Sequence, residues 1–145
     1  MRVRINFATP FIFSTIIPVR ISDVNYGGHV GNDSILSILH EARLRFLKQS
    51  NFTEMDAGGC SLIMADSAIQ YKGEAFHGDD LQVEIAVANL SSISFDLFYK
   101  VTTSRNSASI HIASAKTGLI CFDYTQRKIM EMSTALNTYL DMKNE

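Results

Sequence analysis

The chain has 145 residues, 46% of them hydrophobic and 19% charged, with a net charge of −2. That length supports one domain with a real core, and the charge balance argues against a nucleic-acid footprint or a disordered acidic tail. Two cysteines, Cys60 and Cys121, and four histidines without tight spacing make neither a disulfide framework nor a zinc site; they fit a reduced, cytoplasmic setting.

Arg2 and Arg4 precede a mostly apolar run from Ile5 to Ile17. Asn6, Thr9, Pro10, Ser14 and Thr15 interrupt it and no small-residue cleavage pattern follows, so it reads as a strand and not as a leader. That strand is expected from about Phe11 to Ser22. Phe11, Phe13, Ile17, Val19 and Ile21 share one side, and Ser14, Pro18, Arg20 and Ser22 the other. No stretch approaches the roughly 18–20 apolar residues of a membrane span.

Next comes a connector, Ser22 to Asp33, reading SDVNYGGHVGND. A helix follows, Asp33 to Gln49, with Ile35, Ile38, Leu39, Ala42 and Phe46 on one stripe. Asn32 or Asp33 is the expected N-cap, and Lys48 suits the negative end of the dipole. Gly58-Gly59 breaks the loop after it. Ser61 to Tyr71 is apolar on both sides and reads as a central strand. Leu81 to Ala88, Ile93 to Val101 and Ile110 to Phe122 follow as strands, separated by turns at 89–92 and 105–107. Ser133 caps a short closing helix that turns Leu136, Tyr139 and Leu140 inward. One long helix followed by a run of hairpin strands is α+β, with the helix lying on a curved antiparallel sheet. There is no internal repeat or linker, so residues 1–145 read as a single domain.

The connector carries the chemistry. Helix-end amides and the dipole there favour a developing negative charge, such as a polarised carbonyl oxygen. Asp23, Asn25 and His29 are groups that orient or activate water. The plainer reading is a turn and a cap, since Asp, Asn and Gly are also ordinary turn residues.

The residues that follow resemble a known family. Arg20, Ser22, Asp23, Asn25, Gly28, His29, Val30, Gly31 and Asn32, then Glu41-Ala42-Arg43, are similar to the signature of the hotdog-fold acyl-CoA thioesterases of the 4-hydroxybenzoyl-CoA thioesterase type. Tyr71-Lys72 with Gly78-Asp79, Ser91-Ser92 with Phe95, and Cys121-Phe122-Asp123 look like that family's later segments. The resemblance spans about residues 11 to 130. It implies a hotdog fold, a long helix wrapped by five or six antiparallel strands, and hydrolysis of an acyl-CoA or acyl-carrier-protein thioester without metal or cofactor. It also implies a homodimer or homotetramer with sheets joined edge to edge, and a thioester carbonyl received by helix amides near Gly31 and Asn32.

One departure matters. The family's catalytic aspartate is Asn25 here, and a neutral amide is no general base, although its oxygen can position a water. The base is then sought at His29, at Glu41 or at Asp23. Glu41 also suits an ion pair with Arg45 one turn on, and Asp23 suits a cap that holds the connector. Ser91 and Ser92 are candidate contacts to the ligand of a neighbouring subunit. Lys72, Arg43 and Lys100 are candidate contacts to CoA phosphates, though isolated surface cations rarely mark a site. His40, His77 and His111 receive no role. Two alternatives stay open: a non-catalytic acyl-thioester-binding dimer, and a 3-hydroxyacyl thioester dehydratase using His29 with Glu41.

Overall fold

The computed structural model describes residues 1–143. Its elements are β1 (Phe13–Pro18), a 3-10 turn (Ile21–Asp23), α1 (Asn32–Lys48), β2 (Ser61–Tyr71), β3 (Asp80–Ala88), β4 (Ser94–Arg105), β5 (Ala108–Asp123), β6 (Lys128–Ile129) and α2 (Thr134–Lys143). The main strands run antiparallel in the order β1-β3-β4-β5-β2, with β6 against β5. Alternation sets the sheet's inner face: Leu81, Val83, Ile85 and Val87 of β3 and Phe95, Leu97, Tyr99 and Val101 of β4 are all buried. Onto that face α1 lays the predicted stripe of Ile35, Ile38, Leu39, Ala42 and Phe46, joined by Leu47. Burying each large side chain in that stripe contributes about 1.5–3 kcal/mol.

β1 is shorter than the alternation predicts. Its pairing with β3 ends where Pro18 meets Asp80, and residues 21–23 then coil into the 3-10 turn. Val19 stays buried, but Ile21 is 72% exposed, against the expectation that it shares the strand's inner side. β2 is an edge strand, not a central one: within the chain only β5 pairs with it, and a bulge falls between Met64 and Asp66. Leu62 and Ile69 belong to the core, whereas Met64, Ala65, Asp66 and Ser67 are exposed. Apolar residues on both faces therefore mark a strand whose second face and free edge lack a neighbour within the chain.

α2 closes the far end of α1. Ser133 Oγ accepts the Leu136 N–H at 3.1 Å, as the sequence predicts for a cap. The same hydroxyl donates to the Ala57 carbonyl at 2.7 Å. Tyr139 donates its hydroxyl to the Phe46 carbonyl at 2.7 Å. The N-terminal arm, residues 1–12, crosses the sheet's outer face. Thr9 Oγ1 donates to the Val87 carbonyl at 3.1 Å and the Ile5 N–H to Gln70 Oε1 at 3.3 Å. This cover explains why Ala86, which points away from α1, is fully buried. No helix among the described residues is long and apolar enough to cross a membrane.

Candidate active site

The connector folds as a small hairpin. Val24 and Val30 form an antiparallel bridge, the Asn25 N–H donates to the His29 carbonyl at 2.9 Å, and the Gly28 N–H donates to the Asn25 carbonyl at 3.1 Å. Gly28 sits at φ +82°, a conformation that favours glycine. Asn25 Oδ1 accepts the Gly27 N–H at 2.9 Å, which fixes the amide and leaves its second lone pair open. Asn25 and His29 converge around the bare Cα of Gly27. A methyl group there would lie 3.2 Å from Asn25 Oδ1 and 3.3 Å from His29 Nε2.

The histidine's tautomer follows from its neighbour. Nδ1 lies 3.2 Å from the Val30 carbonyl oxygen, which only accepts, so in the neutral ring Nδ1 carries the hydrogen. Nε2 is left as the basic nitrogen. The half-buried ring lines a cavity of about 250 Å³ with Val30, Asn32, Ile35, Tyr71 and Ala75.

α1 begins without a side-chain cap. Its N-cap is Gly31, not Asn32 or Asp33, and Asn25 Cβ approaches within 3.6 Å of where a Gly31 methyl would stand. The Gly31 N–H is engaged, donating to the Asp23 carbonyl at 3.0 Å. Among the described residues, the Asn32 and Asp33 N–H groups have no acceptor. The open helix-start donors thus lie one residue further into α1 than the Gly31–Asn32 pair expected from the resemblance. Tyr71 braces this end by donating its hydroxyl to the Asn32 carbonyl at 3.2 Å.

The other candidates lie elsewhere. Asp23 is 4% exposed; its carboxylate accepts the Arg20 N–H at 2.8 Å and pairs with the Arg20 guanidinium at 3.2 Å. It closes the turn and, through its carbonyl, holds Gly31. Glu41 is exposed and paired with Arg45 at 2.9 Å, while Arg45 also donates to Thr15 Oγ1 and the Ile16 carbonyl. Nine residues along the helix, Glu41 stands about 13 Å from its start. Asp23 and Glu41 share a cavity of about 320 Å³, separate from the one His29 lines, so the His29–Glu41 pair that a dehydratase needs is not assembled within the chain. Ser91 Oγ is used locally, accepting the Ser94 N–H at 3.1 Å and bonding Ser94 Oγ at 2.9 Å. Ser91 and Ser92 follow the far end of β3, a strand about 26 Å long whose start lies by the connector.

One polar assembly escaped the sequence reading. Arg43, 3% exposed, donates to Glu54 at 2.8 Å and to Tyr99 Oη at 3.2 Å; Tyr99 bonds Thr117 Oγ1 at 2.7 Å, and His40 Nε2 lies 2.6 Å from Glu54. Arg43 is therefore internal and not a phosphate contact. Burial pushes Glu54 up, but the hydrogen bond and charge of Arg43, with help from His40, outweigh it and hold the carboxyl below its ordinary value. Burial pushes the Tyr99 hydroxyl up. A cation inside the apolar stripe of α1 was the available signal, since a buried charge demands a partner. Cys60 and Cys121 are buried and unlinked, and burial, then Cys60, pushes the Cys121 thiol up to about 12.

A long helix seated in a curved antiparallel sheet, with open amides at its start, is the hotdog architecture of thioester-processing domains. The chain belongs to the thioesterase-like superfamily, whose family model matches residues 19–140. It is 30% identical over 125 residues to a 1,4-dihydroxy-2-naphthoyl-CoA hydrolase of Microcystis aeruginosa, covering 84% of this chain and 88% of that protein. Its fold is similar to a 1,4-dihydroxy-2-naphthoyl-CoA thioesterase from Synechocystis, with TM-score 0.79, 22% identity, and coverage of 89% of this chain and 95% of that one. It is also similar to a thioesterase superfamily protein from Jannaschia, with TM-score 0.81, 18% identity, and coverage of 93% and 84%.

Proposed function

We propose that this chain hydrolyses the thioester of an acyl-CoA, with the carbonyl oxygen received by the Asn32 and Asp33 amides. The observation that carries the reading is that pair of unengaged helix-start donors beside Asn25 and His29. Water held by Asn25 Oδ1 attacks the carbonyl carbon while His29 Nε2 takes its proton. The tetrahedral oxyanion sits on the helix amides, where one such donor is worth roughly 3–4 kcal/mol. The C–S bond then breaks, the imidazolium returns the proton to the departing thiolate, and free acid and CoA thiol leave. A second copy pairs along the exposed edge of β2, the free edge available for the edge-to-edge dimer that the family resemblance implies.

The test is thiol release from short, long and aromatic acyl-CoAs, with 1,4-dihydroxy-2-naphthoyl-CoA among them because of the relative's substrate. Turnover of at least one, reduced roughly 10²–10⁴-fold in His29→Ala, is the expected result. Full activity in His29→Ala would remove the base assignment. Asn25 favours a second reading, a binder without turnover. Saturable acyl-CoA binding with no thiol released by the native chain, but release by Asn25→Asp, would establish it.

A further inference from the structure

The N-terminal arm lies outside the residues that the family model matches, and it brings charge with it. Where it crosses the end of β2, Arg2, Arg4, Ile5, Asn6, Gln70 and Lys72 enclose a depression of about 340 Å³. The Ile5 N–H on Gln70 Oε1 fastens the arm there. Among the described residues, no carboxylate lies within 4.0 Å of Arg2, Arg4 or Lys72. Lys116 of the same sheet is different, held by Asp66 at 2.6 Å and Asp96 at 3.6 Å. Three cations around one concavity without a carboxylate form an anion cradle. Its neighbourhood is electropositive as well: His111 is held below the ordinary histidine range, by burial first and then by the charges of Lys100 and Lys72.

The cradle adjoins the candidate site. Strand alternation sends Gln70 and Lys72 to the outer face, and Tyr71 between them to the inner face, where its hydroxyl braces the start of α1. Gly73, next in sequence, lines the cavity that His29 lines. A ligand rounding this end of β2 would therefore meet the cations at one end and the helix amides at the other.

We infer that Arg2, Arg4 and Lys72 form a phosphate cradle that binds the 3′-phosphorylated ADP moiety of CoA while the extended pantetheine arm carries the thioester to Asn32 and Asp33. This inference rests on the thioesterase reading for its substrate. It selects CoA over acyl-carrier protein, because a compact concavity with three donors suits clustered phosphates.

The experiment compares the wild type with the Arg2→Ala/Arg4→Ala/Lys72→Ala variant on one acyl group carried by CoA and by N-acetylcysteamine, which has no nucleotide. The preference for the CoA thioester, measured as the ratio of kcat/KM values, falls roughly tenfold in the variant, as expected for three exposed charge contacts. The fall is carried by KM and shrinks as salt rises. An unchanged ratio overturns the cradle. Should the native chain hydrolyse nothing, the catalytic reading fails separately. Calorimetry with adenosine 3′,5′-bisphosphate then decides: binding weakened roughly tenfold by the triple substitution upholds the cradle, and absent or unaltered binding overturns it.

Discussion

Asn25 and His29 owe their meeting to a residue with no side chain. Gly27 lets Oδ1 and Nε2 close around its Cα, and its φ is not in the positive region. Gly27→Ala therefore tests geometry apart from backbone strain. Its methyl would press on both groups at 3.2 and 3.3 Å, tighter than ordinary contact. Stability should change by less than about 1 kcal/mol, since reduced unfolded-state freedom offsets the crowding. Turnover of the best acyl-CoA should fall roughly ten- to a hundredfold through displaced water and imidazole. Equal kcat/KM in the two proteins would mean that these side chains do not act together. Much at this scale was legible in the sequence: the nearness of Asn25 to His29, the i,i+4 pairing of Glu41 with Arg45, and the capping role of Asp23. The engagement of the Gly31 amide was not, because the acceptor is the Asp23 backbone carbonyl, which every residue carries. Nor was Glu54, since the loop that brings it to Arg43 has no periodicity from which to read a direction.

Among the elements, periodicity gave the long helix, four of the strands and the capped closing helix within a few residues. It failed where two forces compete. β1 stops early because capping by Asp23 favours the 3-10 turn over continued pairing, and a long apolar β2 resembles a central strand although it sits at the edge. An eleven-residue strand with an unpaired edge is a template for another strand, and Met64 at 38% and Tyr71 at 51% exposure leave apolar surface there. If second copies meet at this edge, light scattering should give twice the 16.2 kDa chain mass at micromolar concentration. Replacing Met64 and Ser67 together by lysine should shift the protein toward single chains, because antiparallel pairing of identical edges brings the new charges near one another. A native chain that scatters as a monomer, or a variant that stays paired, would exclude β2 as the joint.

Across the whole molecule, three separated groups determine how the fold responds to acid. Glu54, between α1 and the sheet, is held below its ordinary value although burial opposes this, because Arg43 and His40 bind it. Asp79, behind the connector, is held low mainly by its hydrogen bond from Arg105, at 2.7 Å. His111, on the outer face, is held low chiefly by burial. The sign is the same for all three. On acidification the unfolded chain takes up each proton before the native state does, so stability falls as pH falls. His111 starts a shallow loss below about pH 6.5, and the two carboxylates add a steeper one below about pH 4.5, which ends once the native groups are protonated too. Urea midpoints measured from pH 7 to pH 2.5 should trace both stages. Glu54→Gln should lower stability by about 2 kcal/mol at pH 7, since the Arg43 side chain, 4% exposed, loses its anion. The variant's acid stage should also be shallower, with the part owed to Asp79 remaining. A variant curve parallel to the wild type below pH 4.5 would mean that Glu54 is not what acid attacks. The chain from Arg43 through Tyr99 to Thr117 would then hold α1 to the sheet by its own hydrogen bonds, with no contribution from the Glu54 carboxylate's charge.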